Sequence, residues 1–142
     1  MASARRLKIP SLTYIALYNS AQSALAHGER GKTARMLRKG IEWARRTKDK
    51  ANLAHLLEAL AAVTALGGEA QRSAVLLGAA QALLEEVGAR VYNYYIPDRS
   101  FNERTTANVH AQLGEEGFAE ARYKGRAMTF EQAVEYALGV RP

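Results

Sequence analysis

The chain has no cysteine and only three prolines among its 142 residues. The lack of cysteine excludes disulfides, thiolate metal ligands and cysteine nucleophiles. No apolar run approaches the roughly 20 residues that span a bilayer. The basic N-terminal stretch MASARRLKIPS also lacks the apolar segment of a secretory signal. We therefore expect a cytoplasmic protein held together by a hydrophobic core, because a chain of this length buries roughly two-thirds of its unfolded surface.

Positive charge is concentrated in the first third of the chain. Residues 1–50 carry twelve Lys/Arg and three Asp/Glu, whereas residues 51–142 carry eight and eleven. Much of the excess forms a basic stripe: Lys32, Arg35, Arg38, Lys39, Arg45 and Arg46. Such a stripe can bind nucleic-acid phosphates, face an acidic partner or remain solvated. No zinc finger or aromatic RNA-binding signature accompanies it, so nucleic-acid binding is the less favoured alternative.

Apolar residues recur with helical spacing along nearly the whole chain. Helices are predicted from Ser11 to a stop at Gly28, then over 32–47, 50–66, 70–87, 100–113, 115–124 and 130–138. Asp49 is a predicted N-cap, and Thr129 with Gln132 forms a predicted capping box. Alternation typical of a strand occurs only around 91–96. The fold class predicted from the sequence is all-α.

One turn recurs three times, as Gly28-Glu29, Gly68-Glu69 and Gly114-Glu115. Each glycine has an alanine seven residues before it and a small residue five residues after it, which gives the pairs Ala21/Thr33, Ala61/Ser73 and Ala107/Ala119. Glycine permits the positive φ that a tight turn between helices needs. Small residues let the two helices of each pair approach closely. This pattern predicts antiparallel helix pairs stacked as in tetratricopeptide (TPR) repeats.

The domain organisation follows from these repeats. We expect a flexible N-terminal segment over residues 1–10 and one TPR-like helical domain over residues 11–142. Its helix pairs are predicted at about 11–47, 50–87 and 100–124, with a capping helix at 130–138. Leu37 and Leu77, nine residues after their glycines, are expected to fill the space between successive pairs.

The chain from about residue 51 to residue 138 resembles a known group of proteins, and the resemblance is weaker before that range. The run GGEAQRSAVLLGAAQALLEEVGA, followed after a loop by LGEEGFAEARYKGRAMTFEQAVEYAL, is similar to the C-terminal helical-repeat region of multidomain bacterial ATPase regulators of the LuxR/MalT and AfsR types and their cyclase-associated relatives. The matching residues of the last motif are Gly125, Arg126, Met128, Thr129, Glu131 and Ala133. The resemblance implies a sensor or scaffold region used in signal transduction or transcription regulation.

The sequence also departs from that group. Tyr123 stands where the group often has tryptophan, and the loop ARVYNYYIPDRS replaces a proline-rich one. The chain shows no ATPase or cyclase signature and no helix-turn-helix motif after Leu138. We therefore expect either a stand-alone remnant or an excised part of a regulator, and no activity of the whole regulators is transferred to these residues.

No residue pattern indicates catalysis, and no catalytic, cofactor-binding or metal-binding residues are expected. His27, His55 and His110 lack metal-ligand spacing. The stretch from Ala26 to Thr33 resembles a phosphate-binding loop, but alanine takes the place of its first glycine and a helix precedes it where a strand is required. The chain is accordingly interpreted as a non-enzyme without a cofactor.

Two clusters are candidate partner-binding residues: Tyr92, Tyr94 and Tyr95 in the loop, and Tyr14, Tyr18, Asn19 and Gln22 on the first helix. Tyrosine buries a large area while keeping a polar tip, which suits binding surfaces. The loop tyrosines either bind a small molecule or fill the gap between helix pairs. The expected partner is another protein or another domain of a regulator, a homodimer is possible, and no membrane is involved.

Overall fold

A computed structural model describes residues 26–88 and 100–139, together with Asn19 and Ser23; the side chains of residues 100 and 101 are outside that description. The described ranges form five helices: α1 (Arg30–Thr47), α2 (Lys50–Leu66), α3 (Ala70–Val87), α4 (Ser100–Arg126) and α5 (Phe130–Leu138). No strand occurs in these ranges. The predicted all-α class is confirmed: α1 packs against α2, α2 against α3, and α3 against α4.

Local signals set the ends of these helices. The Asp49 side chain accepts a hydrogen bond from the Asn52 amide at the start of α2. Thr129 and Gln132 exchange both hydrogen bonds of a capping box at the start of α5. Both predicted caps are confirmed. Helix α1 begins two residues earlier than predicted, since Glu29 is its N-cap directly after the turn.

Helices α2 and α3 form the pair that the repeat predicts. Gly68 has φ +87° in the turn between them. Ala61 and Ser73 are both fully buried, and the Ser73 hydroxyl donates a 2.7 Å hydrogen bond to the Ala61 carbonyl oxygen. Leu37 and Leu77 are buried in the same core. The small residues thus lie between the two helices, as their spacing predicts.

The third repeat departs from this pattern. Gly114, with φ 79° and ψ 170°, breaks α4 into two segments over residues 100–113 and 115–126. The predicted contact of Ala107 with Ala119 is wrong as a buried crossing, because both residues are exposed. The segment over 100–113 buries Thr105 and Val109, and the segment over 115–126 buries Phe118 and Ala121. Ala107 lies two residues from both Thr105 and Val109, which places it on the opposite face of its helix.

Glycines form the closest approach between α3 and α4. A Cβ atom added to Gly78 would lie 2.2 Å from the carbonyl oxygen of Arg122, and one added to Gly125 would lie 1.9 Å from that of Val75. Both distances are far below van der Waals contact, so the two backbones meet where neither helix has a side chain. Beside this crossing, Arg126 forms two hydrogen bonds with the Glu85 carboxylate, of 3.0 and 2.7 Å.

Helix α5 packs against α1, α2 and α3. Three carbonyl groups in its last turn accept hydrogen bonds from two arginines of other helices. Arg38 of α1 donates to Leu138, while Arg72 of α3 donates to Tyr136 at 2.9 Å and to Ala137 at 3.2 Å. Positive side chains also interact favourably with a helix C-terminus. Side-chain hydrogen bonds therefore connect α5 to α1 and to α3.

Candidate partner-binding surface

The structure divides the predicted basic stripe into two groups. Arg38 and Arg45 face α5, where Arg38 donates to the Leu138 carbonyl oxygen and Arg45 lies 3.4 Å from the Glu131 carboxylate. These two arginines thus connect α1 to α5, which distinguishes them from the other cations of the stripe. Sequence reasoning missed their role because their partners lie roughly 90 to 100 residues further along the chain.

The other four cations form a second group, which we call the α1 basic face: Lys32, Arg35, Lys39 and Arg46. All four are exposed. Lys32, Lys39 and Arg46 recur every seven residues, so the helical period places them on one side of α1 with Arg35 beside them. None forms an ion pair with the residues of 26–88 or 100–139. Their positive charge is therefore available to a partner.

Three further residues give this face a mixed character. Glu42 is exposed and lies on the same side of the helix, between Lys39 and Arg46 in sequence. Met36 and Trp43 are half-buried and flank the cations, and the Trp43 ring also packs against the core. A partner at this surface would meet four positive charges, one negative charge and two apolar side chains. Arginine beside tryptophan is typical of the residues that dominate protein–protein interfaces.

Six of the seven partner-binding residues predicted in the two clusters lie outside the described part of the chain. These are Tyr14, Tyr18 and Gln22 of the first cluster and Tyr92, Tyr94 and Tyr95 of the loop. Asn19 is described, and it is helical and exposed. The tyrosine clusters and the basic face therefore remain separate predictions.

The segment that resembles a phosphate-binding loop is a turn followed by a helix. Gly28 has φ +79° in that turn. The buried Thr33 hydroxyl donates a 2.8 Å hydrogen bond to the Glu29 carbonyl oxygen in the first turn of α1. Among the residues that the structure describes, no group of three or more His, Asp or Glu side chains could hold a metal ion.

Glu85 at the α3–α4 crossing and Tyr136 of α5 are ionisable residues with shifted pKa values. Hydrogen bonding from Arg126 holds the pKa of the Glu85 carboxyl below its ordinary value of 4.5, with partial opposition from desolvation. Burial raises the pKa of the Tyr136 hydroxyl above 10.0, although the nearby Arg72 guanidinium, 4.8 Å from the ring centroid, acts in the other direction. Both side chains lie at contacts between helices, so their pKa shifts result from helix packing.

Tyr123 is the most exposed large hydrophobic residue among those described, with 74% of its surface accessible. The repeat spacing aligns it with Leu37 and Leu77, which are both buried. The difference arises because Tyr123 lies on the side of α4 opposite Phe118 and Ala121, the residues that face the core.

Comparison with known proteins gives no match among family models, curated proteins or solved structures. Within residues 26–88 and 100–139, none of the helices combines the length and apolar character that a transmembrane helix requires.

Proposed function

We propose that this protein is a non-enzymatic interaction module, the sensor or scaffold region of a bacterial transcriptional or signalling regulator, and that the α1 basic face binds an acidic protein partner. The observation that carries the proposal is the set of four exposed cations on one side of α1, beside the half-buried Trp43. The regulator context is supported by the resemblance of residues 51–138 to TPR-like regulator regions.

The mixed charge of the face favours a protein over a nucleic acid. Glu42 would face a phosphate backbone with like charge, which weakens binding. A protein can instead place a lysine or arginine opposite Glu42 and acidic residues opposite the four cations. Complementary charges of this kind accelerate association and select the correct partner.

The same charges disfavour a symmetric contact between two copies through this face, since cations would then oppose cations. The predicted homodimer would need another surface, such as the N-terminal residues around Asn19. Light scattering over a concentration series measures this directly. A dimer that persists in the variant Lys39→Glu/Arg46→Glu would form elsewhere.

The test of the proposed function compares three forms of the full chain as baits in an extract of the source cell. They are the unaltered protein, the double variant Lys39→Glu/Arg46→Glu, and the control Lys124→Glu, which reverses an exposed cation on α4. We expect a protein of acidic net charge that binds the unaltered chain and the control and is lost with the double variant. The purified partner should then bind directly, with affinity that falls as salt is raised.

Nucleic-acid binding is the second candidate, and it is supported by the four cations of the α1 basic face, which have no ion pair among the described residues. It predicts that duplex DNA or RNA shifts in a gel at low salt, with affinity falling steeply as salt increases. Removing Glu42 by substitution with Gln should then strengthen binding. Equal capture of the acidic partner by all three baits, or a salt-sensitive duplex shift without any protein partner, would contradict the primary proposal.

A further inference from the structure

A cavity of about 330 Å³ lies where α2, α3 and both segments of α4 meet. Its volume is at the lower end of the range of about 300–1,000 Å³ that is typical of small-molecule sites. Leu77, Leu84 and Phe118 supply an apolar surface. The remaining wall includes the side chains of Glu58, Asn102 and Arg122. No helix contributes all of these groups, so the site exists only in the folded array.

One side of the cavity offers hydrogen-bond acceptors. The Glu58 carboxyl group is buried, with 5% of the residue exposed, and one of its oxygens lies 3.4 Å from Nδ1 of His55. The Oδ1 atom of Asn102 is also buried and accepts no hydrogen bond within the described structure. A buried acceptor without a donor is costly. Rotation of the Asn102 amide toward the cavity would let a ligand N–H group supply that donor.

Arg122 provides the opposite charge. Its guanidinium lies 5.7 Å from the centroid of the Phe118 ring, and the side chain is exposed at the cavity. It forms no ion pair with the described residues. The Glu85 carboxylate, which also lines the cavity, is hydrogen-bonded by Arg126 and interacts with Arg122 only through the longer-range attraction that helps to lower the Glu85 pKa. A guanidinium in this state is well suited to a carboxylate, which it can bind through two hydrogen bonds.

We propose that this cavity binds a small zwitterion with an apolar body, of the α-amino acid class, with the ammonium group at Glu58 and Asn102 and the carboxylate at Arg122. The apolar side chain of the ligand contacts Leu77, Leu84 and Phe118. The site is separate from the α1 basic face and does not depend on the proposed partner.

The test uses three probes that differ only in charge. L-leucine carries both charged groups, 3-methylbutylamine lacks the carboxylate, and 4-methylpentanoate lacks the ammonium group. Calorimetry and the melting temperature of the full chain measure binding. We expect leucine to raise the melting temperature in a saturable manner and to bind at least about tenfold more tightly than either single-charge probe, as expected from one lost charged hydrogen bond.

Two substitutions locate the two ends of the ligand. Arg122→Gln should lower the affinity for leucine about tenfold and leave the affinity for the amine probe unchanged. Asn102→Ala should lower the affinities for leucine and for the amine probe and leave the affinity for the carboxylate probe unchanged. Lys124→Gln is the matched control on α4 and should change none of the affinities. Neither test substitution alters Glu58, whose burial beside His55 makes its variants prone to misfolding.

Three outcomes would overturn the proposal. In the first, leucine, methionine and phenylalanine each leave the melting temperature unchanged and give no heat at millimolar concentration, which leaves a cavity filled by water alone. In the second, the amine probe binds as tightly as leucine, which identifies a site for cations. In the third, leucine binds equally to the unaltered chain and to Arg122→Gln, which places the binding site elsewhere.

Discussion

Gly125 and Val75 are in direct backbone contact, so close that a Cβ atom on Gly125 would lie 1.9 Å from the Val75 carbonyl oxygen. Glycine within a helix costs about 1 kcal/mol relative to alanine. Here that cost is offset by the close packing of α3 against α4, because each helix removes a side chain where the other's backbone must lie. The same relationship holds for Gly78 and Arg122.

We expect Gly125→Ala and Gly78→Ala each to lower the free energy of unfolding by about 2 kcal/mol or more, since overpacking exceeds the gain in helix propensity. Equilibrium urea denaturation measures the change. Gly31→Ala in α1 is the control, because its added Cβ would meet only the end of the Arg35 side chain at 3.6 Å. Equal stability of all three variants would show that α3 and α4 do not cross at these glycines.

A second prediction compares the alanine that is buried in the second repeat with the corresponding alanine that is exposed in the third. Ala61→Leu should cost about 1–3 kcal/mol by overpacking, because Ala61 is fully buried against Ser73. Ala107→Leu changes the corresponding residue of the third repeat and should be nearly neutral, since Ala107 is exposed. Thermal denaturation of both variants provides the comparison. A neutral Ala61→Leu would place that residue on the surface.

The ion pair between Glu85 and Arg126 predicts a pH dependence. Because the folded pKa of Glu85 is lowered from 4.5, its contribution to stability is present above the unfolded pKa and is lost as the pH falls through the folded value. Glu85→Gln should therefore destabilise the protein at neutral pH, and the difference from the unaltered chain should shrink on acidification.

Urea denaturation from neutral pH to values below 4.5 tests the Glu85 prediction. Glu116→Gln is the control, as it removes an exposed carboxylate of α4 that has no ion pair among the described residues. High salt should reduce the effect of Glu85→Gln, since the pair is accessible to solvent. A difference between Glu85→Gln and the unaltered chain that is constant across this pH range would contradict the assigned pairing.

The cap of α5 gives a fourth prediction. Thr129→Ala removes the side-chain oxygen that accepts from the Gln132 amide and should cost about 1 kcal/mol. Thr47→Ala is a matched change, because the exposed Thr47 hydroxyl only donates back to the Trp43 carbonyl oxygen. Guanidinium denaturation distinguishes the two. If they are equally stable, the N-terminus of α5 does not depend on its cap.

Much of the local structure was predictable from the sequence because it depends on neighbouring residues. The bounds of α2, α3 and α5 agree with the prediction, since Asp49, the glycine turn at Gly68 and the Thr129 cap all act within a few residues of the helix ends. The same holds for the buried stripe of α1, where Leu37, Ile41 and Ala44 follow the helical period.

The contacts that were missed join residues far apart in the sequence. Gly78 gave a signal, as a glycine inside a helix indicates a packing requirement, but its partner at Arg122 did not follow from any spacing. Arg38 was grouped with the other cations of α1 because its charge is visible in the sequence and its contact with Leu138 is not. The cavity could not be predicted either, because three helices contribute to it.

The contact between α5 and α1 determines how the molecule would respond to a pulling force. In an open superhelix, a pull on the last unit separates neighbouring units one at a time. Here Arg38 and Leu138 join points one hundred residues apart, so a pull between α1 and α5 acts first on that direct connection and not along the stack. Once it breaks, α1 and α5 lose this contact in a single event, which makes unfolding under load more cooperative than the stepwise separation of an open superhelix.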